Sequence, residues 1–242
     1  MDGEGSHPRG RRGYGKSRAA GTRPAAVKVY TARRRKSSST RWLSRQLNDP
    51  YVVEARRLGY RSRAAFKLIE LDERFRLLRP GQSVVDLGCA PGGWTQVAIA
   101  RVVGRGGRGL VVGIDLSETA PLPGATLLTG DIRDPGALTA ISAALGGPAD
   151  LVLSDMAPQA TGHAATDHLR IVALAEDAFT VAAEILGPGG VFVAKVFQGG
   201  AEGALLARLK RDFALLRHAK PPASRAESAE TYVVASGYWG GR

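Results

Sequence analysis

The chain lacks most of what holds small secreted or membrane proteins together. Cys89 is the single cysteine in 242 residues, which excludes an intramolecular disulfide framework and a multi-cysteine zinc site. A lone thiol is compatible with a reducing cytosol, and a cytoplasmic location is expected. No apolar run approaches the roughly 18 residues of a membrane span, so no membrane association is expected. No apolar stretch follows the first residues as a secretory signal would require. Acids are scarce in one place. Residues 1–46 carry 13 Lys/Arg against 2 acids, whereas 47–242 carry 21 against 20. Nearly all of the net charge of +12 therefore lies in the first fifth of the chain. That segment is rich in Gly, Ser, Arg and Pro and has almost no core-forming residues before Trp42. Residues 1–38 are expected to form a disordered basic arm and 39–242 a folded domain. The arm serves either as a solubilising tail or as a grip on a polyanion, nucleic acid above all. A transit peptide would share its Arg/Ser richness, but the segment shows little amphipathicity.

What is present suits one sizeable core, with 44% hydrophobic residues. A short helix is expected over 41–47. Asp49-Pro50 reads as an N-cap followed by proline at the first helical position, for a helix ending at Leu58 before Gly59. Ser62 is expected to cap a third helix over 63–75. Pro80-Gly81 then turns into a series of strands (83–88, 109–115, 125–129, 150–155, 190–197, 231–238) separated by helices (93–103, 135–145, 166–186, 202–213). Residues 215–219 are a further candidate strand near an edge. The alternation predicts an α/β fold, a parallel sheet with helices on both faces.

The most informative stretch is Asp86-Leu-Gly-Cys-Ala-Pro-Gly-Gly-Trp94, a strand end, a glycine turn and a helix start. Gly88, Gly92 and Gly93 let the backbone approach a ligand, and the first amides of the helix point into the crevice. A dinucleotide turn needs Gly-x-Gly-x-x-Gly, and a P-loop needs Gly-Lys-Ser/Thr; neither is present. The spacing resembles motif I of S-adenosylmethionine-dependent methyltransferases. An ordinary strand-turn-helix corner is the alternative.

Four strands in succession close on an aspartate: Asp86, Asp115, Asp131 and Asp155. Ligands bind beyond such strand ends in a doubly wound sheet. Asp115 is expected on the cofactor's ribose hydroxyls and Asp131 by its adenine amine, although each Asp by itself would serve equally as a turn cap. Lys195 interrupts the apolar strand Gly190 to Phe197. Lysine is almost never fully buried alone, so it either snorkels to the strand's open end or sits in the crevice as a functional amine, with Lys67 a candidate neighbour.

Five blocks in order carry a family resemblance: Ser62-Arg-Ala-Ala-Phe-Lys67-Leu, the glycine turn, Ser154-Asp155-Met-Ala-Pro158, Val193-Ala-Lys195-Val-Phe-Gln198 and Ser224-Arg-Ala-Glu-Ser-Ala-Glu230-Thr-Tyr232. Together they resemble the FtsJ/RrmJ family of RNA ribose 2′-O-methyltransferases over residues 40–238. The resemblance implies a Rossmann-like class I methyltransferase fold with a mostly parallel seven-stranded sheet. It implies S-adenosylmethionine as cofactor, no metal, and a catalytic tetrad of Lys67, Asp155, Lys195 and Glu230, with Lys195 the proton acceptor and Glu227 a decoy. The cofactor positions it implies are Asp86, Gly88, Gly92, Trp94, Asp115, Asp131 and Asp155. The block from Arg41 to Val52 looks most like the bacterial branch that acts on a uridine of 23S ribosomal RNA in the large subunit. A monomer is expected. Methylation of transfer RNA or of a messenger-RNA cap, a non-catalytic role in ribosome assembly and small-molecule methylation are the alternatives.

Overall fold

Val84-Val85, Val111-Val112, Leu151 to Leu153 and, apart from Lys195, Val193 to Val196 are apolar runs too short for helices, and every one of these residues is buried. Such continuous runs are what strands covered on both faces look like. The structure is a computed structural model that describes residues 40, 43–44, 47–104, 106, 108–158, 161–197 and 203–240. The arm expected over 1–38 lies outside the described residues, as do Gln198 and much of the helix expected over 41–47. Contacts divide the chain between Asn48 and Asp49, and the second unit is the one built around the sheet.

In chain order its elements are α1 (Pro50–Leu58), α2 (Ala65–Phe75), β1 (Ser83–Leu87), α3 (Gly93–Val102), β2 (Leu110–Asp115), β3 (Thr126–Thr129), α4 (Pro135–Leu145), β4 (Ala149–Ser154), α5 (Ala164–Ile185), β5 (Leu186–Phe197), α6 (Gly203–Asp212), β6 (Phe213–Ala219) and β7 (Glu230–Tyr238). They make a seven-stranded sheet of order β3-β2-β1-β4-β5-β7-β6. The pairs from β3 through β5 are parallel. β7 is antiparallel to both β5 and β6.

Alternate residues of each strand point to opposite faces, and the core divides accordingly. Val85, Leu87, Val112, Ile114, Val152 and Phe192 pack with α4, α5 and α6 on one face. Val84, Val111, Leu151, Leu153 and Val193 pack with α2 and α3 on the other. Local signals account for the helix ends. Asp49 caps α1, its carboxylate accepting the amide of Tyr51 at 3.0 Å, with Pro50 in the first turn and Gly59 in the left-handed conformation closing it. Ser62 does not cap α2. That helix starts after Ala64 with no side-chain cap, because Ser62 lies beside Gly93, where a Cβ would come within 2.2 Å of its Oγ. The last central strand starts at Leu186, straight from α5, rather than at Gly190.

Phe179 on α5 is fully buried, its ring 5.5 Å from that of Phe192 and 5.9 Å from that of Phe213. Phe179→Ala should cost about 3–5 kcal/mol of unfolding free energy, whereas Val53→Ala on the exposed side of α1 should stay within about 0.5 kcal/mol. Urea titrations of the two variants beside the parent measure both values.

Candidate active site

The turn after β1 is shaped by what sits against it. Gly88 has φ +78°, and a Cβ there would lie 2.3 Å from Cγ of Met156, the residue after Asp155. Only glycine allows both that backbone conformation and that approach. Gly92, at φ +109°, is the N-cap of α3 and provides no side-chain acceptor. The first turn of α3 therefore carries no cap from its N-cap residue, and the positive end of the helix dipole lies there.

The expected cofactor residues divide into three groups. Asp115 ends β2 at the rim. One of its carboxylate oxygens accepts the amide of Ala90 at 3.0 Å and the other that of Ser117 at 2.8 Å. It fastens the glycine turn to β2 and keeps lone pairs for a ligand. Asp131 lies two residues past β3 and is half-buried. It accepts the amide of Arg133 at 3.0 Å and pairs with the same residue's guanidinium, whose hydrogen bonds bring its carboxyl down to about 2. Asp86 and Trp94 turn their side chains into the fold. The Asp86 carboxylate is 1% exposed and accepts the Thr95 hydroxyl at 2.7 Å, so it braces the turn from beneath. The Trp94 indole is buried on the α2 side, donates to the carbonyl of Ala64 at 2.8 Å and packs 5.7 Å from the Tyr232 ring.

Beyond β4 the four charged residues of the expected tetrad meet. Lys195 on β5 is 7% exposed. Its Nζ donates to the Asp155 carbonyl at 2.7 Å and to Asp155 Oδ1 at 2.9 Å. Lys67 on α2 lies 2.9 and 2.8 Å from the two oxygens of Glu230, and 3.5 Å from Asp155 Oδ2. Lys195 is therefore an interior cation with partners, and it does not snorkel. Glu227, three residues before Glu230, is exposed.

Tyr232 was not anticipated as a member of this cluster. It is fully buried, and its hydroxyl donates to Asp155 Oδ1 at 2.6 Å while lying 3.3 Å from Glu230 Oε1. Burial, then the charges of Asp155 and Glu230, push its hydroxyl well above the ordinary tyrosine value, so it remains a neutral donor. The period-two spacing Glu230-Thr-Tyr232 is the signal for it, since both side chains must leave β7 on one face. Burial raises the Asp155 carboxyl. The charges of Lys195 and Lys67 and the Tyr232 hydrogen bond outweigh it, and the net shift is downward. Arg61 was also missed. Its guanidinium donates to the carbonyls of Pro91 at 3.2 Å, Ala120 at 2.6 Å and Pro121 at 2.8 Å, strapping the glycine turn to the segment after β2. Partners that are backbone carbonyls leave no trace in a sequence pattern.

A sheet of this order with its one reversed strand, and a glycine turn at the carboxyl end of its first strand, define the class as Rossmann-like methyltransferases. The chain belongs to the FtsJ-like methyltransferase family, whose model matches residues 60–238. A protein named Ribosomal RNA large subunit methyltransferase E from Paramagnetospirillum magneticum is 63% identical over 228 residues, 93% of each chain. One of the same name from Rhodospirillum rubrum is 59% identical over 227 residues, 93% of this chain and 86% of that one. The crystal structure of a ribosomal RNA methyltransferase from Plasmodium falciparum superposes with a TM-score of 0.68 at 30% identity, over 75% of this chain and 100% of that one.

Burial pushes the Asp86 carboxyl up to about 7 against the pull of the Thr95 hydrogen bond, with the charges of Asp155 and Asp115 adding to the rise. A carboxyl raised on folding stabilises fully below its unfolded value near 3.9, and that contribution is lost as pH rises through about 7. The stability of Asp86→Asn relative to the parent should therefore climb by up to about 4 kcal/mol between roughly pH 4 and 7 and level off above. Denaturant titrations across that window measure it; a difference that does not change with pH would mean that Asp86 titrates like a solvent carboxyl.

Proposed function

We propose that the chain transfers the methyl group of S-adenosylmethionine to the ribose 2′-hydroxyl of a uridine in 23S ribosomal RNA of the large ribosomal subunit. The observation that carries this reading is the meeting of Lys67, Asp155, Lys195 and Glu230 at the carboxyl end of the sheet, joined to the glycine turn through the contact of Met156 with Gly88. The names of the relatives support the choice of acceptor.

The residues fit the cofactor. The first turn of α3, with no side-chain cap from Gly92, suits a carboxylate, and Asp115 has acceptor capacity for ribose hydroxyls. Asp131 would meet the adenine end and Asp155 the methyl-donor end. When bound, the cofactor supplies an electrophilic methyl group. What the chain must add is position and a route for the acceptor's proton.

Lys195 provides that route. Its Nζ has three substituent positions, and Asp155 takes two of them through its carbonyl and Oδ1. The third position points away from Asp155 and carries either a proton or a lone pair for the 2′-hydroxyl. With Nζ uncharged, that lone pair would take the proton of the 2′-hydroxyl while the cofactor, when bound, would supply the electrophilic methyl group. Lys67, Asp155 and Glu230 fix Nζ and the acceptor oxygen, and once Nζ holds the proton the formal charges of the four groups cancel. Ribose is common to every nucleotide, so the target must be selected by RNA shape. The exposed Arg56 of α1 and the basic arm over 1–38 supply phosphate contacts, which position without specifying. The enzyme works as a monomer in the cytoplasm, where assembled subunits are found.

Labelled cofactor should mark isolated, unmodified large subunits in preference to naked 23S RNA or transfer RNA offered side by side, and Lys195→Ala should reduce the rate by at least about 100-fold while calorimetry finds cofactor affinity kept. Incorporation into transfer RNA alone would overturn the ribosomal acceptor, and near-parental turnover in Lys195→Ala would remove its assigned role.

A further inference from the structure

Arg63, Lys67 and Glu70 lie at spacings of four and three, on one stripe of α2 and the turn before it. Lys67 enters the tetrad. Its two neighbours on the stripe hold a different piece of chain, one residue, from both sides. The Glu70 carboxylate accepts the amide of Ala223 at 2.6 Å, and the Arg63 guanidinium donates to the carbonyl of the same Ala223. Ala223 is fully buried in the segment between β6 and β7. The next residue, Ser224, is 6% exposed, and its hydroxyl donates to Glu230 Oε1 at 2.7 Å.

We propose that Ser224 and Glu70 are positioning residues for methyl transfer, acting through Glu230 and Lys67. This rests on the tetrad reading above. A single helical stripe sets the distance between the Lys67 ammonium and the segment that presents Ser224, and Ser224 in turn sets the rotation of the Glu230 carboxylate. That carboxylate receives Lys67 on both oxygens, and Oε1 also receives the Ser224 hydroxyl, with the Tyr232 hydroxyl oxygen 3.3 Å away. Ser224 hence decides which way the carboxylate plane faces and where Lys67 comes to rest.

The grip is itself braced. Tyr51 of α1 donates to the second oxygen of Glu70 at 3.1 Å. Asp49, the N-cap of α1, pairs with Arg63 at 3.1 Å and with Arg225 of the gripped segment at 3.5 Å. On the outer side Lys220 closes the same segment by donating to the carbonyls of Ala226 at 3.0 Å and Ser228 at 2.6 Å. Such investment in one connecting segment is out of proportion to a simple strand link. It follows if the segment carries a group whose placement to a fraction of an ångström affects rate, as near-attack geometry demands.

The test compares single-turnover methyl transfer into large subunits by the parent, Ser224→Ala, Glu70→Ala and Glu70→Gln, with cofactor affinity by calorimetry and thermal midpoints alongside. Glu70→Gln keeps an oxygen acceptor for the Ala223 amide. Ser224→Ala and Glu70→Ala should each slow transfer at saturating cofactor about ten-fold, with affinity within two-fold of the parent, and Glu70→Gln should recover most of the rate. Parental rates in both alanine variants would overturn the proposal. So would a rate loss matched by an equal loss of cofactor affinity or a failure of Glu70→Gln to differ from Glu70→Ala. A parent that binds the cofactor yet methylates no ribose would instead overturn the tetrad reading, and this proposal with it.

Discussion

The site depends on keeping one carboxylate charged where there is little water to support it. Asp155 sits one residue past β4, and its oxygens are met by Lys195, Lys67 and Tyr232. Burial alone would favour its neutral form, but two cations and a hydroxyl reverse that preference. Each partner needs the others. The two lysines are held in the interior by the carboxylates, and removing one member of a buried pair typically costs about 3–5 kcal/mol because a charge is left behind. Such a cluster has few alternative arrangements, and that is its value to a reaction whose demands are geometric.

Sheet register puts these groups together. β4 and β5 are parallel neighbours, so Asp155 and Lys195 reach the same end of the sheet. β7 runs the other way beside β5, with Lys195 opposite Tyr232 and Phe197 opposite Glu230. Its reversal means that the start of the strand, not its end, lies at the crevice, and Glu230 is its first residue. α2 brings Lys67 across from the other layer. Three strands and a helix, far apart in sequence, thus deliver one cluster, while Asp86 and Thr95 brace the neighbouring turn from below.

The sheet was legible because its strands are buried on both faces, and buried strands must be apolar runs. Lys195 stood out for the same reason, as a charge inside such a run. Glu230 was separated from Glu227 only by family resemblance, and the structure gives the distinction a physical form, since one carboxylate meets Lys67 and the other faces solvent. What could not be read were bonds whose second partner is backbone. Arg61 on three carbonyls and Arg63 and Glu70 on Ala223 follow from the approach of segments, not from residue type. A motif names positions without saying which way side chains turn. Asp86 turns to Thr95 beneath the backbone, and Trp94 turns into the apolar layer under α2. The expected capping of α2 by Ser62 failed because Gly93 leaves room for Ser62 to pack against the glycine turn instead.

The central claim is that this charge cluster directs methyl transfer to a ribose oxygen. Its most direct test is the chemical identity of the product after unmodified large subunits are incubated with methyl-labelled cofactor. A 2′-O-methylated nucleotide has no free hydroxyl to attack its own 3′-phosphate, so alkali leaves the adjoining phosphodiester intact. The account predicts that all label is recovered in an alkali-resistant dinucleotide whose first residue is a ribose-methylated uridine. Label released in ordinary mononucleotides, with the methyl group on a base, would contradict it.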